Sequence, residues 1–150
     1  MFSGTPVDYQ DAVLANDGFW PDLNLKDFQE QRKIPADMDA GTVAQALLTA
    51  AGEVNTDLVS VAQRHQTNGH ATASAVPGVS LDGKNLLSAQ YQKAVFARAK
   101  ADLMGEFATI GRRESHPGQE GDDTRKGLLA EAAIVIRTMK GLKRATVKMV

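Results

Sequence analysis

The chain has 150 residues, of which 43% are hydrophobic and 23% are charged, and its formal net charge is −1. These values are typical of a single soluble globular domain, and they argue against a nucleic-acid binder that relies on a general basic excess. Cysteine is absent, no stretch approaches the ~18 apolar residues of a membrane span, and the N-terminus lacks a secretion signal, so disulfide scaffolds, thiol chemistry, membrane insertion and secretion are not expected.

The N-terminal part of the chain is predicted to be an extended arm over residues 1–24. Glycine and proline interrupt its periodicity, and one helical turn is expected near Tyr9–Ala15. A helical domain follows over residues 25–141. Asn24 is a suitable cap for a short first helix from Leu25 to Lys33, which should end before Pro35 because the residue before a proline disfavours the helical conformation.

Two long helices are predicted next. The first follows a cap at Asp37 or Asp39 and continues to about Thr67, because apolar residues recur there every three or four positions. Residues 68–83 are small or polar, which predicts a loop with a turn at Pro77-Gly78. The second long helix should extend from about Lys84 to Gly111.

The last predicted helix follows a polar loop over residues 112–121. Asp122 or Asp123 would cap it, and Gly141 would end it just after Lys140. Its expected core positions are Leu128, Leu129, Ala132, Val135, Ile136 and Met139. The sequence therefore predicts an all-α fold, a bundle of three to four helices of which two are long.

Residues 142–150 form a third predicted region, an extended basic tail. Thr146, Val147, Met149 and Val150 favour a strand, whereas Lys143, Arg144 and Lys148 make the segment basic. A strand without a partner in its own helical domain can pair with the sheet edge of another chain.

The charges are distributed unevenly along the chain. Residues 1–75 carry ten acidic and four basic side chains, a net of −6, and residues 76–150 carry eight acidic and thirteen basic ones, a net of +5. Complementary halves would permit head-to-tail self-association. The other interpretation is that each half has a solvated surface of one sign.

Motifs for catalysis or for metal and cofactor binding are not found. His65 and His70 are five residues apart and would not share a helix face, and His116 lies in a predicted loop. Neither a nucleophile motif nor a glycine-rich phosphate loop is present, and the carboxylate pairs fall where helices are expected to begin. We therefore expect no enzyme, no cofactor and no metal.

The segment Phe19, Trp20, Pro21 and Asp22 has two interpretations. It can pin the arm to the helical bundle as a hydrophobic staple. It can also anchor the chain in a pocket of a neighbouring subunit, because Trp and Phe often dominate the binding energy of interfaces.

From Phe19 onward the sequence resembles the phage head completion protein (GPL) family of tailed bacteriophages. The resemblance is carried by the order and spacing of four segments: Phe19–Leu23, Thr42–Leu58, Tyr91–Leu103 and Ala133–Val147. The most specific of them is Tyr91–Leu103. It implies a structural virion protein at the head–tail junction, assembled in the host cytoplasm. It also implies a ring of identical subunits, typically twelve, that assembles beneath the portal once the head is filled.

The resemblance also implies partners. The ring would stabilise the filled head and accept neck and tail proteins, and packaged DNA would pass through its channel without sequence-specific binding. We expect the tail to bind portal through Lys143, Arg144, Thr146, Val147, Lys148, Met149 and Val150. We expect a neighbouring subunit to contact Phe19, Trp20, Pro21 and Asp22. The alternatives are a small helical nucleic-acid-binding regulator and another neck protein such as a tail terminator.

Overall fold

The structure is a computed structural model, and it describes residues 10–111 and 118–142, with side chains described over 10–105 and 124–142. Most of this part of the chain is helical. The helices are α1 (Leu25–Gln31), α2 (Ala40–Asp57), α3 (Val59–Thr67), α4 (Leu86–Gly111) and α5 (Gly118–Met139), with a 3-10 turn at Ala73–Ala75. The strands are β1 (Val13–Leu14), β2 (Leu23–Asn24), β3 (Ser80–Leu81) and β4 (Lys84–Asn85).

Helix α4 is the centre of the molecule, because both α2 and α5 pack along it. The apolar residues on each of these helices recur at helical spacing, so each helix buries one stripe against its neighbours. The largest fully buried side chains are Phe28, Ile34, Val43, Leu47, Val54, Leu58, Val61, Tyr91, Val95, Phe96 and Leu103. The described part of the chain is thus mostly helical, but it contains five α-helices where three to four were predicted.

The predicted caps of the first two helices are confirmed. The Asn24 side chain accepts a hydrogen bond from the Lys26 amide at 2.8 Å, and that of Asp39 accepts one from the Thr42 amide at 2.9 Å. Helix α1 ends two residues before the predicted Lys33. The φ angle of Lys33 is +53°, which takes the backbone out of the right-handed helical region.

The predicted single helix up to Thr67 is divided at Leu58 into α2 and α3. Leu58 departs from helical geometry (φ −104°, ψ 13°), although its amide still donates to the Val54 carbonyl. Two residues earlier the Thr56 hydroxyl donates to the Gly52 carbonyl at 3.0 Å. Such back-bonding often bends helices, and it agrees with a break at a place without proline.

The prediction of an all-α fold is corrected by two short antiparallel sheets. In the first, Val13 pairs with Asn24 and Leu14 with Leu23. The helical turn expected near Tyr9–Ala15 is therefore wrong over the described residues 10–15. The backbone there is extended because its hydrogen-bond partners lie across the sheet rather than one turn away.

The second sheet is a hairpin, β3–β4, inside the predicted loop over residues 68–83 and its junction with α4. Asp82 and Gly83, the two residues between the strands, have φ angles of +51° and +76°. Two consecutive positive φ angles match the type I′ turn, for which Asp-Gly is a favoured pair. Because Lys84 and Asn85 belong to β4, helix α4 begins at Leu86 and not at the predicted Lys84.

The last helix begins earlier than predicted. Helix α5 already includes Gly118, so residues 118–121 are not loop, and Asp122 and Asp123 lie within the helix instead of capping it. Glycine costs only about 1 kcal/mol in a helix, which packing on α4 can offset. Leu129 is 37% exposed and was wrongly assigned to the core, whereas Ala132, Val135, Ile136 and Met139 are buried.

Helices α3 and α5 end as the glycine signals predict. After α3, the His70 amide donates to the His65 carbonyl and Gly69 has a φ of +94°. After α5, the Leu142 amide donates to the Arg137 carbonyl and Gly141 has a φ of +76°. Both are Schellman motifs. Within the described part of the chain, no helix is long and apolar enough to cross a membrane.

Candidate functional site

The aromatic segment predicted to contact a neighbouring subunit lies largely inside its own chain. Phe19 and Trp20 are buried, and their backbone amides both donate to the Asp17 carboxylate at 3.0 Å. The Trp20 ring is stacked on Tyr91 of α4. These contacts agree with the staple interpretation. Pro21 and Asp22 retain accessible surface, so the contact with another subunit remains a prediction that concerns mainly these two residues.

A closed polar network fixes this segment to the two central helices. The Asn16 side-chain amide donates to the Tyr91 hydroxyl at 2.8 Å, and that hydroxyl donates to Asn55 Oδ1 at 2.6 Å. Asn55 Nδ2 in turn donates to Asn16 Oδ1 at 2.9 Å. Burial raises the pKa of Tyr91 to about 12, although its hydrogen bond from Asn16 acts in the opposite direction. The network therefore holds a neutral phenol and joins three segments of the chain.

The β3–β4 hairpin presents the most exposed apolar surface among the described residues. Leu81 is 82% exposed, Val79 72% and Leu86 49%. They border a shallow, mostly apolar depression of about 230 Å³, which Ala89 also lines. Neighbouring apolar side chains that remain in water are typical of a surface that binds another macromolecule.

The hairpin is held rigidly despite its short strands. Asn85 is buried, and its Nδ2 donates to the carbonyls of Ala73 and Val76, both at 2.8 Å. The Leu86 amide donates to the Val79 carbonyl at 2.9 Å. The apolar side chains are therefore exposed on a fixed backbone. The loop predicted over residues 68–83 did not include this hairpin, although Asp82-Gly83 between two short β-prone segments is a signal for it.

The predicted portal-binding residues of the tail, 143–150, lie outside the described part of the chain. The structure does fix the point from which the tail departs. The Arg64 side chain donates to the Met139 carbonyl at 3.2 Å, and Leu142, the last described residue, is exposed. The tail therefore starts beside α3, at the C-terminal end of α5.

The charges of the two halves of the chain meet within the molecule. Arg32 donates to Glu131 with a shortest distance of 2.6 Å, and Arg98 donates to Asp57 at 3.2 Å. Both ion pairs join the first half to the second. Of the two pairs, Arg98–Asp57 joins a base of the basic half to an acid of the acidic half, whereas Arg32–Glu131 has the opposite arrangement.

The two histidines within the described part of the chain, His65 and His70, lie near each other but not in a cluster of metal-ligating side chains. The His65 ring lies 6.4 Å from the rings of both Phe19 and His70, and burial is the main cause that lowers its pKa, followed by the nearby charge of Arg64. His116 lies outside the described residues. Among the residues that are described, no three His, Cys, Asp or Glu side chains are grouped as metal ligands would be.

The chain is similar to phage proteins that are described as head completion proteins. The family model of the phage head completion protein (GPL) matches residues 14–150. The chain belongs to the phage head completion protein (GPL) family, and the resemblance noted in the sequence is confirmed.

Two curated relatives support this assignment. The chain is 40% identical over 147 residues to the "Probable head completion/stabilization protein" of Haemophilus phage HP1 (strain HP1c1), with 98% of each chain covered. It is 25% identical over 100 residues to the "Head completion/stabilization protein" of Escherichia phage P2, which covers 67% of this chain and 59% of the P2 protein. No solved structure matches the chain significantly.

Proposed function

We propose that this protein completes and stabilises the phage head by binding at the head–tail junction after DNA packaging. There it docks on the portal protein and provides the platform to which neck or tail proteins attach. Family membership supports the role in head completion. The structural observation that carries the proposed mode of action is the rigid β3–β4 hairpin, which exposes Val79, Leu81 and Leu86 to solvent.

The hairpin suits a docking role because its backbone is already ordered. Binding through a mobile loop costs conformational entropy, whereas the hydrogen bonds of Asn85 and Leu86 hold this hairpin in place before any partner arrives. Burial of three exposed apolar side chains would favour a complex in proportion to the apolar area removed from water. We propose that the hairpin contacts a protein of the head or neck.

The tail provides the second proposed contact. Lys143, Arg144 and Lys148 are basic, and Thr146, Val147, Met149 and Val150 have high β-propensity, so the segment suits strand addition to a sheet edge of portal. The fixed end of α5 gives the tail a defined point of departure. In a ring of identical subunits, typically twelve, every copy would bring one such strand to the portal.

A binding experiment with purified portal protein tests the proposal. We expect deletion of residues 143–150 to abolish binding, and Leu81→Asp to weaken binding to portal or to a neck protein. Val59→Asp is the matched control, because Val59 is an exposed apolar residue on α3 that does not line the depression at the hairpin. Circular dichroism should show that all three variants remain helical. Portal and neck binding at the level of the unmodified chain in both test variants would contradict the proposed contacts.

The proposed ring is tested separately by electron microscopy or native mass spectrometry of the complex with portal. A closed ring requires heterologous contacts, in which one face of a subunit meets a different face of the next. Ring-shaped complexes with many copies per portal assembly are expected. Complexes in which isolated single copies bind at independent sites would contradict the ring and leave the docking proposal intact.

A further inference from the structure

The described part of the chain has a second exposed apolar surface besides the β3–β4 hairpin. It is a cleft of about 180 Å³ beside β1, and all of its lining residues are alanine, valine or leucine from β1, α1, α2 and the residue before β1. Val13 and Leu48 line it and are 66% and 58% exposed. Among the large hydrophobic residues described, only Leu81 and Val79 of the hairpin region are more exposed. The four most exposed of these side chains therefore fall on two surfaces.

The hairpin and the cleft are complementary in size and chemistry. Leu81, at 82% exposure, projects from a hairpin whose backbone is fixed by the hydrogen bonds of Asn85. An apolar cavity of about 150 Å³ accommodates benzene, so the cleft is large enough for the smaller leucine side chain. The two surfaces share no lining residue, which means that one copy of the chain can offer its hairpin and its cleft to two different neighbours.

Charge also favours the approach of the hairpin to the cleft. The cleft residues belong to the half of the chain with ten acidic and four basic side chains, and the hairpin belongs to the half with eight acidic and thirteen basic ones. Locally, Lys84 lines the hairpin depression, and the exposed Asp11 directly precedes the lining residues of the cleft. Their hydrogen-bond partners, Gln92 and Asn24, are neutral amides, so neither charge is compensated by them. Opposite charges at the edges of two apolar surfaces steer their encounter.

We propose that the β3–β4 hairpin of one copy inserts Leu81 into the cleft beside β1 of a second copy. The contact removes Leu81, Val13 and Leu48 from water, which is favourable in proportion to their apolar area. It is heterologous, because a hairpin meets a cleft and not another hairpin. Repetition of such a contact adds copies head to tail and produces a closed ring where the rotation between copies permits closure.

The small size of the contact determines where it operates. A standard interface buries ~1,600 Å² with about 20–30 residues a side, whereas the cleft and the hairpin depression have seven lining residues each. Free copies should therefore associate only weakly. Copies held side by side on a common platform have a high effective concentration, at which a weak contact is sufficient. The inference rests on the proposed function in this respect, and it identifies the protein that the hairpin contacts as an adjacent copy.

The test uses introduced cysteines, because the chain has none of its own. One full-length variant carries Ser80→Cys on the hairpin, and another with a different affinity tag carries Val13→Cys at the cleft. Both positions are exposed, so the fold should persist. The variants are mixed at high concentration without portal and treated with a short thiol-specific cross-linker. The heterodimer yield should be several-fold above that of Val13→Cys mixed with Val59→Cys, an exposed position that lines neither surface.

A further substitution identifies the side chain that enters the cleft. Leu81→Asp, added to the Ser80→Cys chain, should reduce the heterodimer yield to that of the Val59→Cys control. A yield at the control level in the original mixture, or one that Leu81→Asp leaves unchanged, would overturn the proposal. Homodimers of Ser80→Cys at an equal yield would overturn it as well, because the contact would then join two hairpins. Portal is absent from these mixtures, so a failure here is distinguishable from a failure of portal docking.

Discussion

The Trp20 indole is stacked on the Tyr91 ring, with centroids 4.8 Å apart and planes 7° from parallel. In the sequence, Trp20 lies in the connection between the two strands of the N-terminal sheet. Tyr91 lies about one and a half turns after the start of α4. The contact therefore joins the segment before the first helix to the central helix of the bundle. Both rings are buried, so this contact attaches the N-terminal sheet to the hydrophobic core.

Trp20→Ala should destabilise the protein by about 3–5 kcal/mol, the usual cost of removing a large buried aromatic side chain. Urea unfolding followed by circular dichroism measures this loss. Leu81→Ala is the matched control, because Leu81 is exposed, and its effect should stay within about 0.5 kcal/mol. A loss below about 1 kcal/mol for Trp20→Ala would show that the indole is not part of the core.

Tyr91 should make stability depend on pH in the alkaline range. Its pKa is raised from 10.0 to about 12 by burial, so folding favours the protonated phenol. The corresponding stabilisation is complete below pH 10 and is lost as the pH rises towards 12. Unfolding measured over this range, with tyrosinate absorbance to follow ionisation, should show the loss in the unmodified protein and a smaller one in Tyr91→Phe.

At neutral pH, Tyr91→Phe should cost about 1–3 kcal/mol, because Asn55 Oδ1 loses its donor and Asn16 Nδ2 loses one of its acceptors. The remaining Asn55–Asn16 bond and the ring stacking are retained, so the fold should persist. An unchanged stability, or an alkaline loss identical in both proteins, would contradict the network.

The caps and ends of the helices could be predicted because they depend on a few neighbouring residues. Asn24, Asp39, Gly69 and Gly141 each perform the role that their residue type and position indicate. The buried positions of the helices could also be predicted, because the spacing of apolar residues along a helix depends only on the local sequence. Leu129 is the exception, since the turn of α5 on which it lies is only partly covered by the rest of the molecule.

The sheets and the break at Leu58 could not be predicted in this way. Strands of two residues carry too little periodicity to distinguish them from loop, and β1 pairs with a strand nine residues further on. The pair Asp82-Gly83 was a usable signal, but the preceding Pro77-Gly78 turn suggested a loop throughout. The break at Leu58 has no proline or glycine to signal it, and the nearby hydrogen bond from the Thr56 hydroxyl to the Gly52 carbonyl is not evident from residue type alone.

The candidate contact residues were predictable only in part. Phe19 and Trp20 were recognised as important, but sequence alone could not distinguish a staple from an interface anchor, because both require a large aromatic residue. The hairpin surface was missed since it depends on which loop residues stay exposed. The tail contacts of residues 143–150 remain predictions.

Glu131→Gln should weaken the link between α1 and α5 and change the titration of Lys100. The Arg32–Glu131 pair is partly buried, so its loss should cost about 1 kcal/mol, whereas Asp57→Asn, in the more exposed pair with Arg98, should cost about 0.5 kcal/mol or less. The pKa of Lys100 is already lowered, mainly by burial, and Glu131 opposes that effect.

The removal of Glu131 should therefore lower the pKa of Lys100 further, which carbon NMR of the lysine side chain can measure. In Asp57→Asn the Lys100 titration should not move. If Glu131→Gln left it unchanged as well, Glu131 would not lie close enough to Lys100 to influence its charge.

Asn85→Ala should release the β3–β4 hairpin and remove the hydrogen bond from the Ser88 amide to Asn85 Oδ1 at the start of α4, while the rest of the helices stays intact. The substitution removes the hydrogen bonds that Asn85 Nδ2 donates to the carbonyls of Ala73 and Val76. The loss of these donors should lower the free energy of unfolding by about 1–3 kcal/mol. Hydrogen exchange of the Leu86 amide, which donates to Val79, reports the opening of the hairpin directly. Exchange there should accelerate strongly, with little change at Val95 in the buried part of α4.

Asn68→Ala is the matched control for this prediction, because Asn68 is an exposed asparagine at the end of α3. It should leave the exchange of the Leu86 amide unaltered. If the hairpin is the docking element, Asn85→Ala should also weaken partner binding even though the apolar side chains remain, because a mobile hairpin must be ordered before it binds. If Asn85→Ala binds its partner fully although hydrogen exchange shows that its hairpin is mobile, the rigidity of the hairpin is not required for docking.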